Sequence, residues 1–291
     1  MILRICLGMV DIILNLGEGQ MKFIGFILIG GIVILGGLML FSRKLLYFPT
    51  PVSSARLAYL KSGFDQVREI TIPIEKKGSL HGWLIQKDME NLPTIFYFGG
   101  NAEEVSLNTE DFVQKIDANV VMVNYRGFGQ SDGSPDEVSL KSDALAIYDA
   151  MAKRYKITPD NTVAWGRSIG SSMACFLAFE RGLGRLILTC PFDSIVSVAA
   201  HYYPGWLVGM VLKDKHQTIY FSSGIISATL VLASKADEVI PPENTLKLYE
   251  SLDCPKELVY LDGAGHNTIS EFDGYYAAVN RFLRGYGTTS N

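Results

Sequence analysis

The sequence predicts an α/β fold: a mostly parallel central sheet with helices on both faces, preceded by an N-terminal transmembrane helix. Three observations predict it. After Pro49, short apolar runs alternate with stretches of helical apolar spacing, and repeated strand–helix units of this kind build a parallel sheet covered by helices. The later runs, such as Leu186-Ile187-Leu188 and Thr229-Leu230-Val231-Leu232, are apolar without alternation, as strands buried on both faces must be. Ahead of them, every residue from Phe23 to Phe41 is apolar or glycine, and a charge-free run of about 18 or more such residues reads as a membrane span.

The span at 23–41 is flanked by Lys22 and by Arg43-Lys44, and no small-x-small cleavage pattern closes it. It therefore reads as an uncleaved, single-pass anchor in a lipid bilayer, with positive charge on both sides and no stated orientation. Residues 1–22 form an N-terminal extension. Met21-Lys22 resembles a fresh translation start, with the first twenty residues untranslated; N-terminal sequencing of the native protein that returned Met1 would overturn this.

The domain after the span covers 48–286. Val67–Ile74 and Leu80–Ile85 read as two paired strands joined by a turn at Lys77-Gly78. Thr94–Phe98 is a short strand followed by a helix near Val105–Ile116. Val120–Tyr125 is a strand, and Ser139–Tyr155 carries helical spacing. Thr162–Trp165 leads into a helix from Ile169 to about Arg181. Arg185–Cys190, Ala228–Ala233 and Glu257–Leu261 are further strands, the last two each followed by a helix.

Composition narrows the function. The 291 residues carry a formal net charge of -4 with 19% charged residues, a globular and mildly acidic balance with no basic stripe for nucleic acid. Cys6, Cys175, Cys190 and Cys254 have neither disulfide nor metal-ligand spacing, and Cys175 and Cys190 fall in apolar runs where thiols pack as small hydrophobes.

The strongest chemical signal is Gly166-Arg167-Ser168-Ile169-Gly170, a G-x-S-x-G nucleophile elbow between an apolar strand and a helix. Gly166 and Gly170 permit close approach of that strand and helix, and the helix N-terminus behind Ser168 favours developing negative charge. Serine needs a base. Of the four histidines, His266 lies on the Gly-rich loop Asp262-Gly263-Ala264-Gly265-His266, at the carboxyl end of a strand where open α/β sheets place their sites. His81 reads as a surface or edge-strand residue. His201 and His216 fall in an aromatic-rich insertion and could at most line a pocket. Elbow serines take their partners in the order serine, acid, histidine, which selects Asp237 in Lys235-Ala236-Asp237-Glu238-Val239-Ile240, with Glu238 its competitor. One oxyanion donor is the Ile169 N–H. The other is expected on the loop Phe98-Gly99-Gly100-Asn101-Ala102, where Asn101 N–H is our choice.

These motifs resemble the α/β-hydrolase superfamily. More narrowly, they are similar to a branch of single-span membrane hydrolases that includes bacterial serine aminopeptidase-like proteins and eukaryotic protein depalmitoylases. The resemblance covers about Phe48 to Phe282 and takes in Asn124-Tyr125-Arg126-Gly127-Phe128-Gly129-Gln130-Ser131. It departs at Gly99, where that branch commonly carries histidine before Gly-Asn-Ala. It implies a cap at about 191–224, here rich in Tyr202, Tyr203, Trp206 and Met210. It also implies hydrolysis of an acyl ester or thioester, of lipid or acylated-protein type, with no metal or organic cofactor. A peptidase with the same triad and a non-enzymatic membrane-tethered scaffold are the alternatives.

Overall fold

The computed structural model describes residues 17–74 and 78–285. Residues 1–16 of the expected extension, and Lys77 of the expected turn, lie outside them. The chain divides into two compact units, Met1–Ser42 and Arg43–Asn291. Helix α1 (Glu18–Leu46) carries the apolar run, extends past both of its expected ends, and is long and apolar enough to cross a membrane. Most of its described apolar side chains, among them Phe26, Ile29, Ile32 and Leu40, are exposed.

The second unit opens with α2 (Ser54–Gly63), which sequence reasoning missed. Its first turn is capped by Ser53, and it buries only Leu60, so there is almost no apolar stripe to see. Strands β1 (Val67–Pro73) and β2 (Ser79–Ile85) form an antiparallel pair. Then follow β3 (Thr94–Phe98), α3 (Thr109–Lys115), β4 (Asn119–Val123), α4 (Glu137–Tyr155), β5 (Thr162–Arg167), α5 (Gly170–Arg181) and β6 (Arg185–Thr189). The segment read as one helix over 105–116 is a tight 3-10 turn at Val105–Asn108 and then α3, because Glu104 turns back to accept the Ser106 N–H.

Three short helices follow in the cap region: α6 (Ile195–Ala200), α7 (Gly205–Val211) and α8 (Ile219–Ser222). Val208 is buried and Ile195, Val198 and Phe221 pack on the core, whereas Tyr202, Tyr203, Trp206 and Met210 are exposed. The chain closes with β7 (Ala228–Ala233), α9 (Pro242–Ser251), β8 (Lys256–Tyr260) and α10 (Gly274–Gly285).

Among the described residues, eight strands form one sheet in the order β1-β2-β4-β3-β5-β6-β7-β8. Pairing is antiparallel through β1, β2 and β4 and parallel from β4 onward. Strand side chains alternate between two cores. Phe96, Phe98 and Ala164 meet Ile147, Met151, Met173 and Leu177 of α4 and α5 on one face. Ile95, Tyr97 and Trp165 meet Phe112, Val279 and Phe282 of α3 and α10 on the other. The strand order reverses between β3 and β5, and the crevice beyond the carboxyl ends of strands at such a switch point is where α/β sheets bind ligands.

Candidate active site

The elbow sits at that switch point. Gly166 of β5 is in register with Phe98 of β3 and Leu188 of β6. A Cβ on Gly166 would lie 2.4 Å from the Gly170 carbonyl oxygen, and one on Gly170 would lie 2.0 Å from the Phe98 carbonyl oxygen. Only glycine lets the strand, the turn and the helix come this close. Ser168 takes a φ of 53°, a left-handed conformation that a non-glycine residue adopts at a cost of about 1–3 kcal/mol. Its own N–H is tied to the Thr189 carbonyl at 2.8 Å. We therefore expect Gly170→Ala to lose at least about 1–3 kcal/mol of stability, because the added methyl meets backbone that cannot turn aside. Urea unfolding with an unchanged midpoint would contradict this close packing.

Three sequence-selected side chains converge. His266 Nε2 lies 3.1 Å from Ser168 Oγ, and His266 Nδ1 lies 2.8 Å from Asp237 Oδ2. Ser168 and His266 are both buried, at 7% and 5% exposure. The other oxygen of Asp237 accepts the N–H groups of Val239 at 2.9 Å and Ile240 at 2.7 Å. Burial works to raise the Asp237 carboxyl. The hydrogen bond and charge of His266, with those two N–H groups, outweigh it and hold the carboxyl below its ordinary value. Glu238, the competitor, has a different place: its Oε2 accepts the backbone N–H of His266 at 2.9 Å and so holds the loop rather than the ring.

Cys190, Asp237 and His266 bring three potential ligand atoms within 4.8 Å of one another. Asp237 Oδ2 and His266 Nδ1 already bond each other, and burial pushes the Cys190 thiol up, toward its protonated form. The donor set therefore reads as a hydrogen-bonded cluster rather than a metal centre.

The glycine-rich loop after β3 stands opposite Ser168. Gly100, Asn101, Ala102, Glu103, Arg167, Ser168, His266 and Asn267 line a cleft of about 160 Å³. The Gly100 N–H is taken by Glu103 Oε2 at 2.9 Å. Among the described residues the N–H groups of Asn101 and Ile169 donate no hydrogen bond.

Sequence reasoning missed the Glu103–Arg167 pair. Arg167, the second residue of the elbow, bonds Glu103 Oε2 at 2.9 Å and the carbonyl of His266 at 3.2 Å, joining the loop after β3 to the histidine loop. Burial opposes its charge, but Glu103 outweighs burial and the guanidinium stays charged. Glu103 also accepts the Tyr97 hydroxyl at 2.7 Å. A Cβ at Gly99 would meet the Glu103 side chain at 3.0 Å, so Glu103 occupies the space a larger residue at 99 would need.

The remaining histidines lie elsewhere. His81 is a correction: it is 5% exposed, on the second strand from the sheet edge, with Nε2 2.8 Å from Glu69, because β1 covers it. His216 does not line the cleft; it is fully buried, with Nε2 2.7 Å from the Tyr47 hydroxyl. Its burial, opposed by nearby Glu137, lowers it to about 4, so it is neutral at pH 7. His201 is exposed in the cap region beside Glu243.

No family model matches the chain. It is 30% identical over 256 residues to the α/β-hydrolase domain-containing protein WAV2 of Arabidopsis thaliana, covering 78% of this chain and 80% of that one. It is 29% identical over 248 residues to an uncharacterized protein of Mycobacterium tuberculosis, covering 83% of this chain and 86% of that one. Among solved structures, an esterase of Pyrococcus furiosus superposes with a TM-score of 0.65 at 19% identity, over 83% of this chain and 97% of its own. An α/β hydrolase of Vibrio vulnificus superposes with a TM-score of 0.64 at 20% identity, over 80% and 87%.

Proposed function

Because this chain belongs to the α/β-hydrolase superfamily, we propose that it is a membrane-anchored serine hydrolase that cleaves carboxylic ester or thioester bonds through an acyl-enzyme. The observation that carries this reading is the unbroken chain of hydrogen-bonding atoms from Ser168 Oγ through His266 to Asp237.

His266 Nε2 takes the hydroxyl proton as Ser168 Oγ attacks the substrate carbonyl carbon. The carbonyl oxygen becomes an oxyanion held by the N–H groups of Asn101 and Ile169, with the N-terminus of α5 adding its dipole. Asp237 keeps the imidazole in the tautomer that presents Nε2 and stabilises the imidazolium. When the tetrahedral intermediate collapses, the C–O or C–S bond breaks and His266 gives its proton to the leaving alkoxide or thiolate. Water then loses a proton to His266 and attacks the acyl-enzyme. Collapse of this second intermediate returns the proton to Ser168 and releases the acid.

The cleft of about 160 Å³ has room for the reacting carbonyl and its nearest substituents. A long acyl chain must run on outside it, and Tyr202, Tyr203, Trp206 and Met210 of the cap region offer exposed apolar surface for that. With the membrane-length helix α1, this favours acyl-lipid or acylated-protein substrates. In detergent, kcat/KM is expected to rise at least tenfold from a two-carbon to a long-chain acyl ester or thioester, since each buried CH₂ contributes about 0.8 kcal/mol. A panel of chain lengths checks this, with aminoacyl amides alongside. Equal turnover of short esters with none of long ones would contradict the substrate class, and turnover confined to the amides would favour a peptidase.

A further inference from the structure

The segment directly after the apolar run is built into the site. Phe48 N–H donates to the Asn101 carbonyl at 2.9 Å, and Asn101 Nδ2 donates to the Leu46 carbonyl at 3.1 Å. Thr50 Oγ1 donates to the Ala102 carbonyl at 2.8 Å. The Thr50 carbonyl in turn accepts Gly129 N–H at 2.8 Å. Residues 46–50 thus bind the outer side of the loop whose inner side faces Ser168. The same strap is pinned elsewhere by Tyr47, which is 2% exposed, on His216, and by Arg43, whose Nε lies 3.1 Å from buried Asp214 Oδ2.

Asn101 is held to the strap on two sides, through its Nδ2 and its carbonyl. Its N–H donates to nothing among the described residues, and the strap fixes the peptide that carries it. The loop has three glycine-or-alanine neighbours at 99, 100 and 102, which carry little side-chain packing of their own. Its rigidity comes from groups distant in sequence: the Tyr125 hydroxyl on the Gly99 carbonyl at 2.8 Å, Glu103 on Gly100, and the strap on Asn101 and Ala102.

We infer that Leu46, Phe48 and Thr50, through their hydrogen bonds to Asn101 and Ala102, position the oxyanion donor, so that the juxtamembrane strap is a working part of the catalytic site and not a linker. This rests on the serine-hydrolase reading above. Only the backbone groups of Leu46 and Phe48 take part, whereas Thr50 and Asn101 act through side chains and can be tested by substitution. Thr50 is a positioning residue: it touches no substrate atom and acts through Ala102. Loosening an oxyanion donor lowers kcat more than binding, because the donor is aimed at charge that develops only in the transition state.

The test uses the full chain in detergent and compares wild type, Ser168→Ala, Thr50→Val, Thr50→Ser and Asn101→Ala. The readouts are kcat and KM on a short soluble p-nitrophenyl ester, thermal melting, and amide hydrogen exchange of the loop at 99–103. Thr50→Val and Asn101→Ala are each expected to lower kcat about tenfold with KM and melting near wild type, and to exchange faster in the loop. Thr50→Ser, which keeps the hydroxyl, is expected to match wild type. Wild-type kcat and unchanged loop exchange in both Thr50→Val and Asn101→Ala, beside Ser168-dependent wild-type turnover, would overturn the strap and leave the serine hydrolase standing. Wild-type turnover equal to that of Ser168→Ala would overturn the serine hydrolase, and the catalytic role of the strap with it.

Discussion

Ser168→Ala is expected to reduce kcat on an activated ester by about a millionfold while leaving the protein folded. The size follows from the chemistry. Without Oγ there is no acyl-enzyme, and what remains is catalysis by the oxyanion donors and by binding alone, about 10³–10⁴ over water. The substitution removes one atom at a position whose conformation is held by the Ser168 N–H on Thr189 and by the close approach of Gly166 and Gly170, so the melting temperature is expected to hold. Alanine at a φ of 53° carries the same strain as serine. His266→Ala is expected to cost nearly as much, and the double variant little more than either, because the two groups act as one unit. Steady-state kinetics on the three variants checks this; losses that multiplied in the double variant would mean that serine and histidine act separately.

Asp237→Asn is expected to lower kcat by about 10⁴-fold, while Glu238→Gln lowers it far less. The two side chains are adjacent in sequence and differ in what they hold. Asp237 Oδ2 faces His266 Nδ1, so an amide there favours the wrong imidazole tautomer and withdraws the charge that stabilises the imidazolium. Among the described residues Glu238 accepts only the backbone N–H of His266, a bond an amide oxygen can still accept. The pair of kcat values decides which carboxylate orients the base, and equal losses would contradict the assignment. The lowered Asp237 carboxyl also has a consequence for stability. A carboxyl held below its ordinary value stabilises the fold above the ordinary carboxylate range, and that contribution is lost as pH falls through its folded value. Asp237→Asn is therefore expected to shed part of the acid sensitivity measured by urea unfolding between neutral and acidic pH.

Much of this was legible before the structure, and the legible parts share a physical cause. Strands β3 to β7, buried on both faces, appear in the sequence as unbroken apolar runs and were placed to within one or two residues. Gly166, Ser168 and Gly170 are readable because a turn this tight admits few residue types. His266 and Asp237 are readable because they lie on loops at the carboxyl ends of consecutive strands. What stayed hidden is polar and distant. The bond from Thr50 to Ala102 joins residues 52 apart, that from Arg167 to Glu103 joins residues 64 apart, and that from Tyr47 to His216 joins residues 169 apart. Such pairs leave no periodicity and no local composition signal. Helix α2 escaped for a related reason, since a helix that buries a single leucine has no stripe. His81 differs from its expected surface or edge-strand place because β1 lies outside β2, so the strand that carries it is not an edge.

Covalent labelling of the detergent-solubilised full chain by a fluorophosphonate probe asks whether Ser168 is an activated nucleophile. Wild type is expected to be labelled on Ser168, Ser168→Ala to stay unlabelled, and His266→Ala to label far more slowly. Folded wild type that takes up no probe, or Ser168→Ala labelled as fast as wild type, would overturn the serine hydrolase.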